Sequence, residues 1–261
     1  MSDLRLALRQ VRYTNKAFWR NPTSAFFTFA FPLMFLVIFS VLLGNGETRV
    51  PGIPFEIKQS TFYTPAIIAF SVITACYTNI AMSVTFARDN GVLKRTRGTP
   101  MPTWSYLAAR ILHATFVAVL LTIICAAFGR IFYDVRLPSS TLPAFAVSLL
   151  VGSFAFCALG LAVTSIVPNA DAAPAVVNAT ILPLLFISDV FIPLGDDPAE
   201  WIRQLANFFP VRHFSHAMLT TFLTPSGSGF GAIRTDLINI AIWGVAGILF
   251  AVRRFSWEPR R

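Results

Sequence analysis

Long apolar runs alternate with short polar intervals along this chain. Six runs, at about Ser24–Leu43, Thr61–Ala87, Trp104–Phe128, Leu142–Val167, residues 172–193 and Leu237–Val252, approach the ~20 apolar residues that a membrane-crossing helix needs. The pattern predicts an all-α, polytopic membrane protein with six transmembrane helices in one domain, 1–261. Residues 88–102 form the only long polar, basic interval between two spans in the first two thirds: RDNGVLKRTRGTPMP. A soluble partner could push on the membrane part there.

The remaining polar segments have distinct patterns. In residues 1–22, Arg5, Arg9, Arg12, Lys16 and Arg20 recur every three or four positions, beside Leu4, Leu8, Val11 and Phe18. That spacing makes one basic stripe and one apolar stripe on a helix. With Trp19 at its end, this amphipathic helix is expected to lie in the membrane interface. The first span follows Asn21-Pro22 and is long enough to cross; no A-x-A site follows it, so an uncleaved anchor is expected rather than a signal peptide. Trp104 and Tyr106 stand where aromatic residues anchor a span at the interface. The fifth run differs from the others: it holds Pro174, Asn178 and Pro183 and meets Asp189 while still apolar. An acid at bilayer depth costs about 2.5–3.5 kcal/mol on insertion scales, so a broken or water-facing segment suits Asp189 better than a lipid-facing helix. Short helices are expected around Glu200–Trp201 and over 212–222, within an external region spanning 194–235.

Composition supports the membrane reading and then orients it. The 261 residues are 55% hydrophobic and 13% charged, with mean hydropathy +0.65, against roughly 25% charged in a soluble domain. The net charge of +9 needs no nucleic acid, because basic residues collect on the cytoplasmic side of membrane spans. With six spans, the N-terminal arm, the 88–110 interval and the tail hold 14 of the 21 basic residues. With the 168–171 turn they hold only four of the 12 acids. Both termini and the Arg88 loop are therefore expected in the cytoplasm. Only three of the basic residues are lysine, which fits a GC-rich bacterial genome.

Several chemistries find no support. Lys16, Lys58 and Lys94 follow Asn, Ile and Leu, so there is no G-x-x-x-x-G-K-[ST] phosphate loop; ATP, if it drives this protein, binds elsewhere. Gly227-Ser228-Gly229-Phe230-Gly231 follows no strand and reads as a flexible turn. Cys76, Cys125 and Cys157 fall in apolar runs without CxxC spacing and are expected as buried thiols. His213 and His216, spaced i, i+3, could share a metal with acids such as Asp196, Asp197 or Glu200, but no nearby cysteine completes a ligand set and a polar helix face is the expected reading; His113 reads as structural. No G-x-S-x-G or paired carboxylates suggest a membrane enzyme. The reading is therefore a non-enzymatic chain that binds no cofactor or metal.

The order of parts resembles the membrane subunit of type-2 ABC exporters, and within them the daunorubicin-resistance-like permeases. An amphipathic helix leads into six spans, a G-x-L-x-x-x-x-x-T-P loop joins spans two and three, and a broken external segment precedes the last span. The residues that carry the likeness are Gly91, Leu93, Thr99 and Pro100, with Tyr106, and the run from Pro183 through Asp189, Phe191 and Pro193 to Trp201, Pro210 and Phe214. The chain departs from such loops in having Asp89 as its only acid before the glycine, and Lys94 after Leu93.

The resemblance implies a bacterial plasma-membrane dimer with the same or a homologous permease, bound to two cytoplasmic ATPase subunits that hold ATP and Mg. It implies a coupling helix within 88–103 that uses Asp89, Gly91, Leu93, Lys94, Arg95, Arg97, Thr99 and Pro100. It also implies an interface helix with Arg5, Arg9, Arg12, Lys16, Trp19 and Arg20, framing the contact among membrane lipids. A re-entrant hairpin between spans five and six would gate the exit, with Asn178, Pro183, Asp189, Phe191, Pro193 and Trp201 as candidate pathway residues. The cargo would be a hydrophobic drug or a lipid-like molecule, exported. Two other classes fit the bare pattern: an ion-coupled carrier or channel with Asp189 and Asn178 along its path, and a membrane assembly factor that transports nothing.

Overall fold

Apolar runs of this length can satisfy their backbone in lipid only within helices or closed barrels, and this chain takes the helical route. The structure is a computed structural model and describes residues 3–42, 46–48, 56–99, 102–191, 193, 199–224 and 229–254, with the side chains of residues 3–5, 48 and 103 left out. Of the residues singled out above, Pro100, Asp196, Asp197, Gly227, Ser228 and the side chains of Leu4 and Arg5 lie outside this description.

The helices are α1 (Asp3–Trp19), α2 (Pro22–Leu42), α3 (Gln59–Ile73), α4 (Asn79–Asp89), α5 (Val92–Arg97), α6 (Thr103–Tyr133) and α7 (Leu142–Val163). They continue with α8 (Ala173–Phe186), α9 (Glu200–Phe208), α10 (Pro210–Leu223) and α11 (Phe230–Arg254). One antiparallel pair of two-residue strands, β1 (Glu47–Thr48) and β2 (Ile57–Lys58), ties the α2–α3 connection. Among the described residues, five helices are long and apolar enough to cross a membrane: α2, α3 continuing through α4, α6, α7 and α11.

The fifth apolar run is shorter than its composition suggests. Helix α8 has 14 residues, about 21 Å at 1.5 Å per residue, against a hydrocarbon core of about 30 Å. It stops because Asp189 takes a left-handed backbone, φ 57°, which ends helices and which Asp tolerates better than most residues. The last span, by contrast, starts seven residues before Leu237. Asp236 does not interrupt α11, since its carboxylate finds partners inside the protein. Helix α6 also runs past Phe128 to Tyr133, where Asp134 caps it in a left-handed conformation and pairs with Arg130 at 2.7 Å.

Between α3 and α4 the helix widens into one π turn, Thr74–Thr78. Helix α7 approaches this turn through Gly160, where an added Cβ would lie 2.7 Å from the Tyr77 carbonyl oxygen. One turn-pair away, Gly152 leaves room for the Phe214 ring of α10. The core lies where α3, the π turn, α6, α7 and α10 meet, with Phe62, Ile67, Phe156, Phe214 and Met218 fully buried. The cysteines are free and buried.

Gly160→Ala is expected to destabilise the protein by about 1–3 kcal/mol, since a backbone carbonyl cannot yield as a side chain can. Gly231→Ala, with nothing within 4 Å of its added Cβ, is expected to be neutral or slightly stabilising. Thermal unfolding of the two purified variants compares them directly.

Candidate functional site

The basic interval between α4 and α6 folds into a small helix whose limits follow from backbone chemistry. Gly91 has φ 69°, a left-handed conformation that costs a residue with a Cβ about 1–2 kcal/mol. It lets the chain leave α4 and turn at once into α5. Thr99 ends the element by donating its hydroxyl to the Thr96 carbonyl at 2.7 Å. Leu93 is fully buried against the base of α4, while Lys94, Arg95 and Arg97 are exposed. The helix is thus pinned by one apolar side chain and presents its cations outward. A cleft of about 370 Å³ lies beside it, lined by Val92, Arg95, Thr96 and Thr99 of α5 and Gln10 of α1.

Helix α1 supplies the second basic surface. Arg9, Arg12, Lys16, Trp19 and Arg20 are exposed, so its described cations form a solvent- or headgroup-facing stripe. Trp19 stacks on Phe29 of α2 with ring centres 5.7 Å apart, and Phe18 meets His113 of α6 at 5.5 Å. These contacts fix α1 across the entry to the bundle.

At the base of α5 lies an interaction that the sequence reading passed over. Arg88 is 2% exposed. Its guanidinium donates to the carbonyls of Thr164, Val167 and Pro168 at 3.0–3.1 Å and to the Asp89 carboxylate at 3.0 Å. Thr164 caps the end of α7, and Val167 and Pro168 lie in the turn that follows, so a cation from α4 ties down the start of the α7–α8 connection. Asp89 completes the joint: its other oxygen accepts the Ala170 backbone N–H at 2.5 Å, just ahead of α8. The carboxylate expected to face a partner is therefore engaged within the chain. In the sequence Arg88 looked like one more topology-setting charge; its position next to an acid at a helix end was the available signal.

The candidate exit residues separate into groups. Asp189 pairs with Arg212 at 3.0 Å, and Arg212 also donates to the Asn207 side chain at 2.8 Å. Phe191 is buried and packs its ring within 5.2–6.2 Å of Phe35, Phe39, Phe70 and Phe186. Its carbonyl accepts from the Tyr63 hydroxyl at 3.4 Å. Pro183 lies inside α8, and Pro193 is half-buried beyond it. Asn178 is exposed on α8 and Trp201 on α9, and no hydrogen bond or ring contact joins either to Asp189 among the described residues.

His213 and His216 do share an acid, but it is one the sequence reading missed. His213 and His216 of α10 both bond through Nδ1 to the Asp236 carboxylate of α11, at 2.6 and 2.7 Å. The other ring nitrogen of His213 faces the Asn207 carbonyl at 2.9 Å. Both nitrogens of His213 thus face acceptors, which an imidazolium satisfies by donating twice. No group of three or more His, Cys, Asp or Glu suited to a metal occurs among the described residues. Asp236 was hidden because the apolar pattern starts only after it.

The family model for ABC-2 type transporters matches residues 8–223. The chain belongs to the ABC-2 type transporter family. The match begins in α1 and ends at the close of α10, so it takes in α5, the Arg88 joint and helices α9 and α10. YbhR of Escherichia coli (strain K12), named as a multidrug ABC transporter permease, is 24% identical over 154 residues, 59% of this chain and 41% of its own length. The chain thus spans about two fifths of that relative. The proteins named as transport permeases ycf38 of Porphyra purpurea and YvfS of Bacillus subtilis (strain 168) are 26% and 21% identical over 200 and 195 residues. Each match covers 75% of this chain and 66% or 76% of the relative.

Two predictions test the site. Arg88→Ala should lower stability by about 3–5 kcal/mol, the range for breaking a buried ion pair. Arg88→Lys should recover only part, because a point cation cannot serve carbonyls fanned around a planar guanidinium; thermal unfolding and hydrogen exchange over 164–172 read both. Gly91→Val should cost about 1–2 kcal/mol and speed exchange of α5 amides, while Gly91→Asn, a residue that visits the left-handed region, should cost less.

Proposed function

We propose that this ABC-2 family chain is the membrane permease subunit of an ATP-driven exporter. A separate cytoplasmic ATPase, in two copies, powers it. The observation that carries the reading is the construction of α5. It is a two-turn helix started by a left-handed glycine, anchored by Leu93, with three exposed cations. Its base is joined through Arg88 and Asp89 to the α7–α8 turn. A partner seated on Lys94, Arg95, Arg97 and Thr99, in the cleft that α5 shares with α1, would move α4 and the foot of α8 together. That is the form of a two-state lever, in which ATP-driven closure of the partner is transmitted as a shift of packed helices.

The same reading accounts for the opposite end of the bundle. Helix α10 packs among α3, α7 and α11, and Thr141 at the start of α7 donates to the Thr221 carbonyl at its far end. Helices α9 and α10 then form a re-entrant hairpin on the external side, and α8 with the residues after it makes a short sixth crossing. Helix α8 keeps an exposed stripe at Ala175, Asn178, Ala179, Leu182 and Phe186, and α2 exposes Phe27, Phe31, Met34 and Ile38. Apolar stripes of this kind suit a second permease, the same chain or a homologue, with the cargo path between the two. The cargo is a hydrophobic or amphipathic molecule such as a drug or lipid, moved outward across a bacterial plasma membrane, with both termini cytoplasmic. An ion-coupled carrier centred on Asp189 is less well supported, since Arg212 already balances that carboxylate.

The combined variant Lys94→Glu, Arg95→Glu, Arg97→Glu should lose co-purification of the ATPase, or cut permease-stimulated ATP hydrolysis at least tenfold, as like charges facing each other cost several kcal/mol. Transport by the purified chain alone on an ion gradient would refute the reading.

A further inference from the structure

Two cavities meet beneath α1. The first, about 500 Å³, lies between α2, the α3–α4 helix and α6. Its walls are largely apolar and carry no charged side chain; Phe27, Phe31, Phe70 and Phe86 line it, with hydroxyls of Thr28, Thr74 and Thr78 along one side. Phe27 and Phe31 are 59% and 42% exposed on α2, so this cavity opens sideways to whatever surrounds a helix apolar enough to span. The second, about 380 Å³, is polar and lies between α1 and the first turns of α6, lined by Gln10, Tyr13, Thr14, Arg110 and His113. Phe18 and Asn79 belong to both, so an apolar chamber continues into a polar mouth.

Polar groups in that mouth lack partners. His113 is only 5% exposed; its Nδ1 and the Nε of Arg110 are closed off from solvent and have no hydrogen-bond partner among the described residues. Arg110 donates to the Tyr106 hydroxyl at 2.8 Å and lies over its ring, but no carboxylate pairs with it among the described residues. A half-buried cation without a counter-charge and a buried imidazole nitrogen without a partner are both costly. An anion in the mouth supplies the counter-charge that the half-buried Arg110 lacks, and a guanidinium can donate to it in a fork.

We propose that the joined cavity holds a resident phospholipid with an acidic headgroup, its phosphate between Arg110 and His113 and one acyl chain in the phenylalanine-lined chamber. Lateral access through α2 selects an occupant that arrives from the bilayer, and the polar mouth under α1 selects one with an anionic head. The site rests on the membrane placement proposed above and not on transport: a lipid wedged there would hold α1 against α6 whatever the bundle carries. Failure of ATPase binding to α5 and failure of lipid binding are separately observable.

The test is native mass spectrometry of the purified full chain, titrated with phosphatidylglycerol or phosphatidylcholine. The native chain should retain a single phosphatidylglycerol under conditions that strip phosphatidylcholine. Arg110→Gln should weaken that retention about tenfold, the scale of one hydrogen bond to a charged group. Removing exposed α1 cations, in Arg9→Gln with Arg12→Gln, should leave it unchanged. Thr28→Phe, which fills the apolar chamber from its half-exposed edge, should also weaken retention while leaving the headgroup residues intact. Equal retention of the two lipids, native-like binding by Arg110→Gln, or displacement by inorganic phosphate with no effect of Thr28→Phe would overturn the proposal.

Discussion

The Arg88 guanidinium is the joint on which the rest of the lower bundle depends. Four hydrogen bonds leave it, one to the carbonyl of Thr164 that caps α7, two to the Val167 and Pro168 carbonyls of the turn that follows, and one to Asp89. A cation beside the C-terminal end of a helix is also favoured by the helix dipole. Asp89 meets the opposite problem a few residues on, accepting a backbone N–H where the chain turns toward α8. Two adjacent residues of opposite sign thus close the end of one helix and the approach to the next. A neutral pair could do neither, and a buried arginine without these partners would be destabilising.

This joint explains why α5 can be so short. A six-residue helix has almost no stability of its own, and α5 survives because both its flanks are held. Gly91 allows the turn, Leu93 fills a site in the core, and Thr99 takes up a carbonyl at the far end. Of its cations, Arg95 donates to the Asn90 carbonyl at 3.2 Å, and all three remain exposed. The upper half of the bundle uses the same device with different residues. Asp236 gathers His213 and His216, and Asp189 holds Arg212, so α10 is fixed by ionic contacts at its first turns and by the Phe214–Gly152 fit along its side.

Much of this was legible in sequence because helix length and charge placement are local properties. The apolar runs located α2, α3 with α4, α6, α7 and α11, and the spacing of arginines in residues 1–22 matches the exposed stripe of α1. Gly91 and Thr99 marked the limits of α5 because a left-handed turn and a hydroxyl cap leave specific residues behind. What hid was pairing across the fold. Arg88 and Asp236 acquire meaning only from helices 76 and 23 residues away, and a periodicity argument sees each as a charge at the edge of an apolar run. A break near Asp189 was legible, but not its partner: apolarity persists to Pro193, while the backbone turns left-handed at Asp189 and Arg212, 23 residues on, receives its carboxylate. The π turn at Thr74–Thr78 left no compositional trace, since the surplus residue is accommodated by the closeness of Gly160 rather than by any special side chain.

The distribution of rigid and open contacts bears on how force would pass through such a bundle. The helix end that α5 touches is the foot of α4, and the foot of α4 is bonded to the turn between α7 and α8, so displacement of α5 cannot be absorbed locally. Helix α8 has one face packed and one face open, whereas α7 is held along its length by α11 and the π turn. Motion entering at Arg88 therefore meets less resistance through α8 than through α7. At its other end α8 runs into Asp189 and the Phe191 aromatic cluster, where a small tilt changes what Arg212 and α10 can reach. Packed cores shift between discrete arrangements rather than deforming smoothly, and α8, like α2 with its exposed phenylalanines, has one side left to shift.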